Sequence, residues 1–270
     1  MRHCLAIALL LIPAAPADTP ADLRSLVKAS LQGLNRETEL REKYLYNVYN
    51  ESIEFDSSGK TVKRTETAWE MVDVDGVLLR KLTARGGKPI SDAERAAEET
   101  SLKARAAEWN STPPEDRPKA RRAEHMAWLQ EFPEALDYTL VGDAKMGGRD
   151  VTVLAFEPRP GYKPRNIRAR VFEKMRGKLW IDKSERELVR VEAEMFDDVN
   201  IAFGLFGKIA KGTQFALSRR HVGEKAWLVD WQRFRFDARI LLVKSIRRQE
   251  VNKFDAFRPR GVEAARLRAQ

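Results

Sequence analysis

Cysteine is almost missing from this chain: there is one in 270 residues, Cys4. It precedes the apolar run Leu5–Ile12, in a segment that starts with Met1, Arg2 and His3 and reaches Ala15-Pro16-Ala17 before Asp18. That is the layout of a secretory leader, 1–17, with an A-x-A cleavage site. Cys4 leaves with the leader, so the mature chain is expected to hold no cysteine and no disulfide framework. An exported domain of this size must then be held by its hydrophobic core, which suits a bacterial periplasm. Histidine is equally scarce. Only His125 and His221 lie beyond the leader, far apart and with no cysteine to join them, which disfavours zinc. No apolar run approaches the roughly 18 residues of a membrane-spanning helix. Internal repeats and low-complexity tracts are missing too, as are G-x-S-x-G, S-x-x-K and H-E-x-x-H. Hydrolytic and transfer chemistry therefore have no constellation to stand on. The expectation is no enzyme, no catalytic residues, no metal and no cofactor.

What the chain has in quantity is charge, 33% of its residues, against 43% hydrophobic ones, the balance of an ordinary globular domain. Without Arg2 the mature net charge is about +8. In an exported protein such an excess points to phospholipid headgroups or other envelope polyanions, with no nucleic acid as partner. The excess is concentrated between Pro158 and Lys178, where Arg165, Arg168, Arg170 and Lys174 are the candidate contacts to an anionic membrane surface, and in a basic tail, 258–270.

Element signals run along the whole chain. Leu23, Leu26, Val27, Leu31 and Leu34 recur at helical spacing between Pro20 and Arg41. Three strands follow from Lys43, with Ser57-Ser58-Gly59 and Asp75-Gly76 as turns. Residues 91–132 form an alanine-rich helical insertion. It opens on an S-x-x-E capping box at Ser91 and Glu94, breaks at Pro113-Pro114 and resumes by Lys119. A second hairpin turns at Gly147-Gly148, and a short basic helix is expected from Ile167 to Met175. About ten antiparallel strands and a few helices predict an α+β fold: a strongly curved, open β-barrel with helices on its concave side, one domain over 18–257.

Motifs with chemical promise are few. The glycines of Gly207-Lys-Ile-Ala-Lys-Gly212-Thr213 suggest a phosphate loop, but Thr213 stands where the lysine belongs. Asp197-Asp198 fits a turn or strand end better than a cation site. What remains is apolar surface on a β scaffold. In "LWIDKSERELVRVEAEM" an even-length hairpin loop puts Trp180 on one face with Val189, Val191, Ala193 and Met195, whereas an odd-length loop puts Leu188 opposite Trp180. Further on, Trp227, Val229 and Trp231 share a side, with a bulge expected near Gln232. Trp180, Val189, Val191, Met195, Trp227, Val229 and Trp231 are thus the candidate lining of a ligand cavity, if they are not simply core.

The ordered set "GKLWIDKSERELVRVEAEM", "GKIAKGTQF", "AWLVDW" and "FDARILLVKSIRR" resembles the periplasmic outer-membrane lipoprotein-sorting proteins, the LolA-like carriers. The similarity is greatest to a longer branch carrying F-x-P, Y-K-P and M-x-G-x-x-W-I-D, here starting at Phe156, Tyr162 and Met175, and it covers about Tyr44 to Phe257. Val229 departs from the proline that relatives often carry after Trp-Leu. The resemblance implies an open barrel whose apolar inner face receives acyl chains, hence a non-enzymatic carrier of lipids or lipoproteins. An envelope regulatory or structural module on the same fold is the alternative it leaves.

Overall fold

A computed structural model describes residues 19–116, 127–201, 207–223, 226–240 and 244–261. The expected leader, most of the expected basic tail, His125 and the expected resumption of the helical insertion at Lys119 lie outside the described residues.

Helix α1 (Pro20–Arg41) starts where the sequence places it: Thr19 and Asp22 form a reciprocal capping box and Pro20 occupies the first turn. Leu23 and Val27 are buried, with Leu26, Leu31 and Leu34 packed around them. Eleven strands form one continuous antiparallel path: β4 (Lys88–Pro89), β3 (Val77–Arg85), β2 (Thr61–Val74), β1 (Tyr44–Phe55), β13 (Lys244–Pro259), β12 (Ala226–Ile240), β11 (Gln214–Val222), β8 (Leu188–Met195), β7 (Met175–Asp182), β6 (Arg149–Pro158) and β5 (Leu136–Met146). Two short strands, β9 (Val199–Ile201) and β10 (Gly207–Ile209), join beside β12. The end strands β4 and β5 do not meet, so the sheet is open and the class is α+β, as expected. Asp75-Gly76 and Gly147-Gly148 turn their hairpins with positive φ at both positions, the conformation that asparagine, aspartate and glycine tolerate.

One face of the sheet is closed by α1. The helix crosses the strands: Arg24 bonds Asp137 on β5 at 3.1 Å, while Arg41 reaches the Val229 carbonyl on β12 at 3.2 Å. Five strand spacings are about 24 Å, which a 22-residue helix of about 33 Å spans comfortably. Beneath it Leu154, Leu179, Val191 and Leu217 stand side by side on β6, β7, β8 and β11, all buried. Phe132, Phe156, Phe172 and Trp128 fill the rest with ring contacts of 5.3–5.4 Å. Arg219 pins the helix down. Its fully buried guanidinium donates to the carbonyls of Gly33 (3.3 Å), Leu188 (3.1 Å) and Trp227 (2.8 Å) and pairs with Glu187 at 2.9 Å.

The other half of the sheet has its own cluster of Tyr46, Val48 and Met71, and Phe254 touches both clusters. Helix α2 (Asp92–Ser111) begins at the expected Ser91–Glu94 box and packs on β3 through Leu102 and Ala106. The basic helix expected after Pro164 is a 3₁₀ helix, Ile167–Lys174, rather than an α-helix. Ala169 and Phe172, its two buried residues, are three apart, and a three-residue turn keeps both beneath the segment.

Candidate functional site

The face of the sheet turned away from α1 carries a groove of about 710 Å³. Its floor is one row of mutually paired residues running across six strands: Thr139, Ala155, Lys178, Glu192, Ala216 and Arg233. Strand alternation puts this row opposite the buried Leu154–Leu217 row. The depression exists because small side chains, Ala155 and Ala216, stand where long ones could. Trp180 rises on one side, in a row where the Arg190 guanidinium lies 5.8 Å from the Trp180 ring and 5.5 Å from the Trp231 ring. The other side is made by Glu157, Gln214 and the Arg176–Glu194 ion pair, 2.7 Å. Lys178 and Arg233 have no carboxylate partner among the described residues. The lining therefore combines a floor of two alanines set among polar and charged side chains, one indole wall, and two cations outside any ion pair, of which Arg233 lies 5.9 Å from the Trp231 ring. None of its residues is a histidine, serine or cysteine.

The candidates drawn from the sequence are divided between the two faces. Val191 and Val229 belong to the core under α1, and Met195 is buried opposite Met175. Val189 and Trp227 pack with Val151 in a separate cluster that Trp180 joins, and Trp231 is half-buried beside Arg190. The expected face shared by Trp180, Val191 and Met195 does not form. The Asp182 N–H does bond the Glu187 carbonyl, 2.9 Å, as the even-length loop requires. Val189 is then extruded as a bulge, so that Trp180 faces Arg190 and Leu179 faces Val191. One extra residue exchanges the faces beyond it. The same happens on β12, where Asp230 is the extra residue: Val229 pairs with Arg219 and Trp231 with Ser218, two positions before the bulge expected near Gln232.

Sequence reasoning missed Ala155, Lys178, Ala216 and Arg233. Lys178 was within reach, because a core-facing Leu179 puts its neighbours Lys178 and Trp180 on the opposite face.

The basic candidates lie on the 3₁₀ segment and its entry. Arg165 and Arg168 are exposed, whereas Arg170 pairs with Glu173 at 3.5 Å and Lys174 with Asp197 at 3.1 Å. The Asp197-Asp198 pair is held by cations, Lys174 and Lys208, and by the Lys211 N–H. No described helix is long and apolar enough to cross a membrane.

An open antiparallel sheet, with α1 closing one face and a groove on the other, defines a half-barrel architecture of α+β class. No protein-family model and no curated protein matches the chain. Among solved structures it is similar to a domain ascribed to outer membrane lipoprotein sorting from Vibrio parahaemolyticus, 10% identical, covering 86% of this chain and 94% of that one at a TM-score of 0.29. It is also similar to the lipoprotein LppX of Mycobacterium tuberculosis (9% identity, 88% and 96% covered, TM-score 0.28) and to a LolA superfamily protein of Nitrosomonas europaea (9%, 86% and 94%, 0.26). At such TM-scores the chain paths diverge widely, and the architecture stands on the strand register given above.

Proposed function

We propose that the protein is an exported, periplasmic, non-enzymatic binder of lipid or lipoprotein acyl chains, and that the ligand lies in the groove on the helix-free face. The observation that carries this is the amphiphilic lining: Trp180, Ala155 and Ala216 suit an acyl chain, while Lys178 and Arg233 suit an anionic head. Each methylene removed from water contributes about 0.8 kcal/mol, so a groove of this size needs no reactive group to hold a chain. The face under α1, which the resemblance would make the acyl site, is filled by phenylalanine, leucine and tryptophan side chains.

Mass spectrometry of protein purified without detergent is expected to show a bound lipid. Ala216→Trp, which fills the floor, is expected to lower uptake of a fluorescent fatty acid about tenfold or more; Val191→Ala is expected to lower stability and leave uptake unchanged. Ligand-free protein that takes up no lipid would sink the carrier reading. The charged walls, Arg176–Glu194 and Glu157, favour the second reading, an envelope interaction module that receives a partner segment. A partner retained after lipid extraction and lost in Ala216→Trp would support it.

A further inference from the structure

We propose, on the reading of the groove as a lipid site, that it selects an amphiphile whose polar part carries two separate anionic groups on a hydroxyl-bearing spacer. A bisphosphorylated glycolipid has that pattern.

The spacing comes from the strand register. Lys178 pairs with Glu192, Glu192 with Ala216 and Ala216 with Arg233, so the two cations stand three strand steps apart. At the usual strand separation that puts about 14 Å between their Cα atoms. Lys178 is exposed, and neither cation belongs to an ion pair among the described residues. The Arg233 guanidinium lies 5.9 Å from the Trp231 ring on its own strand, and its buried Nε finds no acceptor among the described residues. A buried donor without a partner is costly, and an arriving anionic oxygen recovers that cost.

One anion does not serve both cations. Glu192 stands between them, and its carboxylate opposes an anion placed over the middle of the row. Glu192 Oε1 accepts from Arg190 Nε at 2.7 Å, whereas its Oε2 accepts no bond among the described residues. That oxygen calls for a donor, which a hydroxyl group supplies and an acyl chain does not. Ala216 leaves depth for the spacer, and Gln214 borders it with both a donor and an acceptor. At the Lys178 end, Ala155 and Trp180 take the start of the acyl portion. The other charges of the lining stay off this line. Arg176 and Glu194 neutralise each other at 2.7 Å, and Asp137 and Glu157 pair in a neighbouring row. Along the floor a ligand therefore meets a cation, an acceptor, a gap and a second cation.

The test is competition against a bound fluorescent fatty acid, with diphosphoryl lipid A, monophosphoryl lipid A and the unphosphorylated glycolipid as competitors. The diphosphoryl form is expected to compete about tenfold more strongly than the monophosphoryl form, the worth of one charge-assisted hydrogen bond. Salt should narrow the gap. The double variant Lys178→Gln, Arg233→Gln should lose this preference and keep the wild-type response to the unphosphorylated glycolipid, with thermal unfolding as the check on its fold. Lys103→Gln, at an exposed position on α2, removes a charge away from the groove and should keep the preference. Equal competition by the two phosphorylated forms would overturn the proposal and leave the acyl-binding reading in place. So would a preference that survives in the double variant or disappears equally in Lys103→Gln. A protein that takes up neither the fatty acid nor any of the glycolipids would sink both.

Discussion

Asp182 ends β7 with its side chain 1% exposed. It accepts from Arg149 Nε at 2.6 Å, from the Ser184 hydroxyl at 2.8 Å and from the N–H groups of Ser184 and Glu185 at 3.0 and 2.8 Å. Burial raises its pKa, but the Arg149 bond and the loop donors outweigh that and bring it down to about 2. The folded value lies below the unfolded one, so the stabilisation is complete above the ordinary carboxylate pKa of 3.8 and fades as pH falls toward 2. Asp182→Asn is expected to cost about 2 kcal/mol at pH 7, with the gap to wild type closing between pH 4 and 2. Urea unfolding at a series of pH values checks this. The consequence reaches the site, because this loop also holds Trp227 through Glu185, 2.9 Å.

At the scale of elements, α1 shows how a local preference can be reversed by packing. Gly33 sits inside a helix, where alanine is ordinarily better by about 1 kcal/mol. Here a Cβ would lie 1.7 Å from the Glu187 carboxylate, which is bonded to the buried Arg219. Gly33→Ala is therefore expected to lose about 1–2 kcal/mol by displacing that carboxylate from a buried cation, measured as a lowered denaturant midpoint. A stabilised variant would show that Glu187 moves freely. The start of this helix could be read from Thr19, Pro20 and Asp22, and the hairpins from Asp75-Gly76 and Gly147-Gly148, because caps and tight turns depend on residues within a few positions. The bulges at Val189 and Asp230 could not. Neither has a glycine or other local signature, and each is set by how the strand meets its neighbours and by what must be buried.

For the whole molecule, α1 is the cover of the larger core. Without it Leu154, Leu179, Val191 and Leu217 would face water, and the Arg219 guanidinium would lose its bond to the Gly33 carbonyl. Each buried aliphatic side chain is worth about 1.5–3 kcal/mol, and domains of this kind have only about 5–15 kcal/mol in hand. A chain beginning at Lys43 is expected to lose cooperative thermal unfolding and to bind hydrophobic dyes. Retention of a sharp transition would show that the sheet stands alone.

The chain by itself determined the class of the molecule. Period-two runs, turn residues and a capped amphipathic helix specify an open antiparallel α+β fold. Tertiary structure decided which side of each strand meets α1 and which meets the groove. A single extruded residue moves every later side chain to the other face. That choice placed Val191 in the core and left Trp180 beside the groove.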